Sequence, residues 1–187
     1  KPASNPFSIL SVARATEKKG LYYAIEAVLM CPLECTYTII GDGALLPELK
    51  EMISGHSNEY RVVFMGAQPS DFVAKSLKNT DLFLLPSIRD SSGDMEGIPV
   101  SLMEAMASGV IVLSTVHSGI PELITDRKSG FLVPEKDSLA ISNKILEISK
   151  TDNLNEIRKS ARIKVDNDFN ATKLQGHLLK ILKLKMV

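Results

Sequence analysis

The chain has 187 residues, enough to bury a full hydrophobic core, and this length predicts one domain that spans residues 1–187. Its 22 basic and 22 acidic residues balance, which argues against a nucleic-acid-binding surface but leaves room for a small anionic ligand. No apolar run is long enough to span a membrane, and residues 1–6 lack the apolar core of a signal peptide, so a cytoplasmic protein is expected. Cys31 and Cys35 have no second Cys or His pair nearby, and we expect no metal site.

Short β-rich apolar runs alternate with helical periods along the chain. The predicted order is strand 7–13, helix 21–30, strand 36–40, helix 45–54, strand 61–65, helix 70–78, strand 82–85, helix 100–108 and strand 110–114. A short helix at 121–125, a strand at 130–133 and helices at 138–149, 154–168 and 172–185 follow. This alternation predicts an α/β fold, a Rossmann-like doubly wound parallel sheet with helices on both faces and a C-terminal helical tail.

The residues that follow each predicted strand are small, polar or charged. They are Arg14, residues 41–43, Gly66, residues 86–87 and residues 114–119. Ligands of open parallel sheets bind beyond the carboxyl ends of the strands, where these residues converge. Turns need such residues in any case, so the pattern predicts a cleft without naming its ligand.

Two carboxylates flank the start of the predicted helix 100–108. Glu96 lies just before it and Glu104 lies in its second turn, on a polar stripe across an otherwise apolar helix. Pro99 suits the first turn and Gly109 suits a left-handed stop. From periodicity alone, a stripe that simply faces water is the simpler interpretation.

Two cations follow the first predicted strand. Arg14 and Lys19 could hold a diphosphate, Arg through its planar fork and Lys as a point charge, beside the free N–H groups of nearby helix starts. A solvated loop with scattered charge is the alternative. No Walker-type loop and no spaced triple-glycine fingerprint follows this strand, which argues against a mononucleotidase or a simple dinucleotide dehydrogenase.

Together these elements resemble the carboxyl-terminal, donor-binding half of retaining glycosyltransferases with the GT-B architecture, group 1 (family 4). The resemblance covers most of the chain and depends on the order and spacing of several motifs. The matching segments are Arg14 with Lys19-Gly20, residues 40–43, residues 64–66, residues 86–87, the pair Glu96 and Glu104 with seven residues between them, residues 104–109 and residues 119–122.

The resemblance implies a role for each charged residue. Arg14 and Lys19 would hold the donor diphosphate, Glu104 would accept hydrogen bonds from the ribose hydroxyls, and Glu96 from hydroxyls of the transferred sugar. Arg14, Lys19 and Glu96 would be the catalytic residues, the two cations by stabilising the nucleoside diphosphate that leaves. A carboxylate accepts from two neighbouring hydroxyls, whereas a diphosphate needs cations, so the chemistry agrees with these roles.

Backbone groups complete the implied donor site. The N–H groups around Gly97, Ile98 and Val100 would meet the distal phosphate, and Gly66 would lie beside the base. The cations and the helix start would neutralise the diphosphate, so no metal and no cofactor other than the UDP- or GDP-sugar itself is expected.

Three departures from the family pattern stand out. Ala13 stands where the family usually has glycine, which slightly narrows the approach of the backbone to phosphate, although binding is expected to survive. Residues 89–95 form a longer connection than usual, which we interpret as a flexible flap beside the sugar. Ser118 replaces the first glycine of a double glycine, and His117 precedes it. Residues 93–99 and 117–122 resemble bacterial exopolysaccharide enzymes of the colanic-acid type. A packed or surface histidine is commoner than one that touches a donor.

The resemblance also implies what this chain lacks. The acceptor for the sugar, a glycan or a lipid-linked molecule, would bind an N-terminal domain that is absent here, so the isolated chain is expected to bind donor without turning it over. The apolar face of helix 172–185 would contact that domain or lie on the inner face of a membrane. The alternatives are a sugar-nucleotide epimerase of related fold and a non-catalytic nucleotide-binding or interaction module.

Overall fold

Six parallel strands form the centre of the fold in the order β3-β2-β1-β4-β5-β6. A computed structural model describes residues 6–152 and 154–175. The strands are β1 (Phe7–Val12), β2 (Cys35–Ile40), β3 (Val62–Gly66), β4 (Leu82–Leu85), β5 (Ile111–Thr115) and β6 (Phe131–Val133). The predicted doubly wound parallel sheet is confirmed.

Seven α-helices connect and follow the strands up to residue 168 of the described part of the chain. They are α1 (Leu21–Met30), α2 (Leu46–Ile53), α3 (Ser70–Lys78), α4 (Val100–Ala107), α5 (Ile120–Leu123), α6 (Ser138–Ser149) and α7 (Leu154–Asp168). None of the described helices is long and apolar enough to cross a membrane.

The predicted element bounds agree with the observed ones to within two residues, but two short 3-10 helices in the connections were not predicted. These are Glu17–Lys19 and Glu59–Arg61. Such short turns have no periodic apolar pattern by which they could be predicted. Residues 171–175 are helical, and the rest of the predicted helix 172–185 lies outside the described residues.

Two apolar layers cover the sheet, one on each face. Helices α1, α2 and α6 pack on one face, and α3, α4 and α5 pack on the other. Helix α7 spans both layers, because Leu154 and Ile157 near its start contact the first layer while Ala161 and Val165 contact the second. Strands β4 and β5 are therefore buried on both sides, which explains their nearly continuous apolar sequences, whereas the edge strand β3 exposes Val63 and Met65.

The strand order reverses between β1 and β4, and this reversal locates the candidate site. Strand β1 pairs with β2 on one side and β4 on the other, all in parallel. The loops after β1 and β4 therefore leave the same rim of the sheet side by side and lead to helices on opposite faces. Ligands of doubly wound sheets bind in the crevice at such a switch point.

Close backbone approach fixes the loops at this rim. A Cβ atom on Gly20 would lie 1.9 Å from the carbonyl oxygen of Pro86, and one on Gly41 would lie 1.9 Å from that of Ala13. Both glycines also have a positive φ, 65° and 140° respectively. Only glycine fits such positions, so the glycine turns seen in the sequence hold the neighbouring loops against the loop after β1.

Candidate functional site

The loop after β1 and the loop after β4 are joined directly at the switch point. Ile88 N–H donates to the carbonyl oxygen of Lys18 over 3.0 Å. Pro86 packs against Gly20 at the start of α1. The first loop carries Arg14 and Lys19, while the second leads to Glu96. The backbone thus brings together two segments that are more than 70 residues apart in sequence.

Lys19 and Glu96 form an ion pair across the two loops. The distance from Lys19 Nζ to Glu96 Oε2 is 2.5 Å, and the two side chains are only 15% and 13% exposed. Lys18 Nζ lies 3.5 Å from Glu96 Oε1. The structure therefore places one predicted phosphate-binding cation and the predicted sugar-binding carboxylate at a single point on the rim, and it adds a second lysine that the sequence interpretation had not assigned.

Lys18 also holds the loop that precedes Glu96. Its Nζ donates to Asp94 Oδ2 over 2.8 Å. This hydrogen bond raises the pKa of Lys18 above its ordinary value and, with the Lys18 charge and the N–H of Met95, holds the pKa of Asp94 below its own. Both groups are therefore charged at neutral pH. The doublet of lysines before Gly20 was the sequence signal that could have identified this contact.

The side chains of Arg14 and Glu104 are both exposed. Neither makes a side-chain hydrogen bond or ion pair with any residue in 6–152 or 154–175. Arg14 lies one residue past Ala13, whose N–H donates to the carbonyl of Ile40 at the end of β2. Both side chains have unused hydrogen-bonding capacity, and their roles stay predictions.

The start of α4 presents free N–H groups at this rim. Pro99 occupies the cap position and offers no side-chain hydrogen bond to the helix. Val100 is exposed, and a Cβ added to Gly97 would meet nothing within 4 Å. Ile98 packs inward and anchors the segment on the second apolar layer. The helix start thus leaves open space beside N–H donors, which suits an anion.

Gly66 lies at the end of β3, two strands away from β1. Its carbonyl accepts a hydrogen bond from Gly41 N–H over 2.8 Å, and its φ is 66°. A Cβ added there would meet nothing within 4 Å, so the space above this turn is open. The predicted contact of Gly66 with a base stays a prediction.

The connection 89–95 differs from the flexible flap that the sequence suggested, because several hydrogen bonds tie it to the rest of the domain. Ser91 donates from both its N–H and its hydroxyl to Glu17, over 2.9 and 2.7 Å. Asp90 accepts the N–H of Asp94 within the loop. Polar composition alone predicted mobility, whereas the side-chain partners that anchor the loop lie far away in sequence.

His117 does not face the open cleft. Its side chain is 1% exposed, and both ring nitrogens are bonded to groups of this chain, Glu135 and the N–H of Glu96. This agrees with the packed histidine considered in the sequence. Glu135 was missed, since nothing about an isolated glutamate after β6 marks it. Among the described residues, no group of three or more His, Cys, Asp or Glu side chains is gathered as a metal site.

The strand order and the helices on both faces of the sheet define an α/β domain of the kind found in GT-B glycosyltransferases. A crystal structure of Anabaena Alr3699/HepE in complex with UDP superimposes with a TM-score of 0.85 and 24% identity, covering 96% of this chain and 49% of that one. At this identity the likeness concerns the fold.

The model of the family "Glycosyl transferases group 1" matches residues 1–164, and the chain belongs to this family. It is 45% identical over 188 residues to the putative colanic acid biosynthesis glycosyltransferase WcaL of Escherichia coli (strain K12), covering 98% of this chain and 46% of that protein. It is 45% identical over 182 residues to the amylovoran biosynthesis glycosyltransferase AmsK of Erwinia amylovora, covering 95% of this chain and 45% of that protein. The chain thus spans about half the length of these relatives.

Proposed function

We propose that this chain is the donor-binding half of a retaining glycosyltransferase that moves a sugar from a UDP- or GDP-sugar to a glycan or lipid-linked acceptor. The observation that carries the proposal is the Lys19–Glu96 ion pair at the switch point of the sheet. It puts a cation suited to phosphate and a carboxylate suited to sugar hydroxyls within one ligand's length. Membership of the glycosyl transferases group 1 family supports this assignment.

The diphosphate would bind between the loop after β1 and the start of α4. Lys19 is already at the rim, and Arg14 on the same loop is exposed and uses none of its five donors on a described residue. The free N–H groups of α4 add the positive end of a helix dipole. These groups would stabilise the charge that develops on the leaving nucleoside diphosphate, so we propose that transfer needs no metal.

The two glutamates would hold the two sugars of the donor. Glu104 is exposed on α4 one turn beyond the proposed phosphate site, where it would accept hydrogen bonds from the ribose. Glu96 would accept hydrogen bonds from hydroxyls of the transferred sugar. Its partner Lys19 would then be shared between this carboxylate and the diphosphate, which places charge of both signs where the glycosidic bond breaks.

The acceptor would bind a second domain that supplies the other wall of the cleft. WcaL and AmsK are named for the biosynthesis of colanic acid and amylovoran and are about twice as long as this chain. We propose an acceptor of the same class, a growing exopolysaccharide or its lipid-linked precursor, with the reaction on the cytoplasmic side of the membrane. The isolated chain would bind donor but not transfer the sugar.

The donor role is tested by titrating the chain with UDP, GDP and ADP in a calorimeter. One of the three is expected to bind with a millimolar or lower Kd. Glu104→Ala should weaken the affinity for that nucleotide at least about tenfold, because charge-assisted hydrogen bonds contribute about 1.5–3 kcal/mol each. The matched control is Glu51→Ala, which removes an exposed helical glutamate near the opposite rim and should leave affinity unchanged. No binding of any nucleotide, or equal losses in both variants, would favour the interaction-module alternative.

The sugar role of Glu96 predicts opposite responses to two ligands. Glu96→Gln removes the carboxylate charge beside Lys19, so affinity for UDP or GDP alone should stay the same or rise slightly. Affinity for the nucleotide sugar should fall about tenfold, since the amide is a poorer acceptor for two hydroxyls. Calorimetry with UDP, UDP-glucose, UDP-galactose, GDP and GDP-mannose measures both effects. Equal losses of affinity for the nucleoside diphosphate and for the nucleotide sugar would refute this role.

A further inference from the structure

One imidazole and one carboxylate tie both ends of the loop that carries Glu96. His117 Nε2 accepts the backbone N–H of Glu96 over 3.1 Å. Its Nδ1 lies 2.7 Å from Glu135 Oε1. The other oxygen of Glu135, Oε2, accepts the N–H of Arg89 over 2.8 Å. The segment from Arg89 to Glu96 therefore begins and ends on the same pair of side chains.

The hydrogen bonds define which nitrogen of His117 carries the proton. Since Nε2 accepts from an N–H, it must be unprotonated, and Nδ1 carries the hydrogen that it donates to Glu135. Partial burial alone would raise the pKa of Glu135, but the N–H of Arg89 and the ring of His117 outweigh it and hold this pKa below its usual value. Glu135 is thus a charged acceptor, and it orients the ring.

This backbone contact differs from the ion pair that holds the Glu96 side chain. In the proposed function, a bound diphosphate would compete with Glu96 for Lys19. The lysine contacts would then hold Glu96 less tightly at the moment when its carboxylate must meet the sugar. The bond from His117 acts on the backbone, comes from a buried side chain, and does not depend on Lys19.

We propose that His117 and Glu135 are positioning residues that fix the backbone of Glu96, and through it the carboxylate, for recognition of the transferred sugar. The inference rests on the proposed function for its ligand, but the positioning itself can be measured without one. His117 acts through Glu96 and touches no part of the donor.

Two substitutions of His117 distinguish the hydrogen bond made by Nε2 from the one made by Nδ1. The amide of His117→Gln reaches about as far as Nε2, so its oxygen can still accept the Glu96 N–H. The amide of His117→Asn reaches only about as far as Nδ1, so it can donate to Glu135 but cannot reach Glu96. The variants have similar polarity, and each leaves one of the two contacts of the His117 ring unmade.

Amide hydrogen exchange, followed residue by residue by NMR, tests the positioning directly. In His117→Asn the exchange of the Glu96 amide should accelerate about fivefold or more, whereas in His117→Gln it should stay within about twofold of the unsubstituted chain. Amides of β1 and β4 report whether the fold is intact. Equal protection of Glu96 in both variants would overturn the proposal. If His117→Asn fails to fold, Glu135→Ala replaces it, because Glu135 is 27% exposed and its loss should accelerate exchange at both Arg89 and Glu96.

Affinity measurements show whether the positioning serves the sugar. His117→Asn should leave UDP or GDP affinity within about twofold and weaken the nucleotide sugar about fivefold, and His117→Gln should restore most of that loss. A merely structural role would weaken both ligands together and would contradict the proposal. If the unsubstituted chain binds no nucleotide, the proposed function fails, while the exchange result still decides whether His117 fixes Glu96.

Discussion

Replacing Gly20 with Ala is expected to lower the free energy of unfolding by more than about 3 kcal/mol, the largest effect of any single substitution considered for this domain. The new Cβ would lie 1.9 Å from the carbonyl oxygen of Pro86, so one of the two loops must move. The φ of 65° adds the cost of a left-handed residue with a side chain. Because this contact joins the loops that carry Lys19 and Glu96, nucleotide binding should be lost as well.

Gly55→Ala is the matched control for the backbone. Gly55 has a φ of 76°, but a Cβ there would meet nothing within 4 Å. The substitution should therefore lower the free energy of unfolding by only about 1 kcal/mol, the strain of the left-handed conformation alone. Urea unfolding monitored by circular dichroism measures both variants. If Gly20→Ala and Gly55→Ala lower the free energy of unfolding by similar amounts, close packing of the loops adds nothing beyond local strain.

Removing both cations after β1 is expected to weaken the bound nucleoside diphosphate at least about a hundredfold. Arg14→Ala with Lys19→Ala takes away two charge-assisted contacts, each contributing about 1.5–3 kcal/mol to binding. Among the described residues, it also leaves the Glu96 carboxylate with only the more distant Lys18, at 3.5 Å, so this carboxylate would repel the diphosphate more strongly. Calorimetry with the nucleotide that binds the unsubstituted chain gives the loss directly.

The charge-matched control is Lys75→Ala with Lys78→Ala. These two exposed lysines lie in the last turn of α3, at the amino-terminal rim of the sheet. The control removes the same net charge, so any long-range electrostatic effect on an anionic ligand is reproduced. It should change affinity less than about threefold at physiological ionic strength, where distant exposed charges are largely screened. If the two double variants lose affinity equally, Arg14 and Lys19 do not contact the diphosphate.

The sequence predicted the sheet well because each element has its own local signal. Strands buried on both faces, such as Leu82–Leu85, are short apolar runs, and helix α4 is bounded by Pro99 and Gly109. Parallel order then implies that the strand exits share one rim. The proximity of Lys19 and Glu96 follows from that topology rather than from either residue alone.

The contacts that hold the site together could not be predicted in the same way. The bonds from His117 to Glu96 and Glu135, and from Lys18 to Asp94, depend on how loops from different strands turn toward one another. No periodicity reports such turns. The polar composition of residues 89–95 suggested a flap, whereas Glu17 and Glu135 provide acceptors that anchor it.

A crystal structure of this chain with the nucleoside diphosphate selected by calorimetry tests the donor site most directly. We predict diphosphate oxygens within about 3.2 Å of the side-chain nitrogens of Arg14 and Lys19, beside the first N–H groups of α4. The ribose hydroxyls should donate to Glu104, with Glu96 left facing the position of the missing sugar. A nucleotide bound away from this rim, or one held there without either cation, would contradict the account.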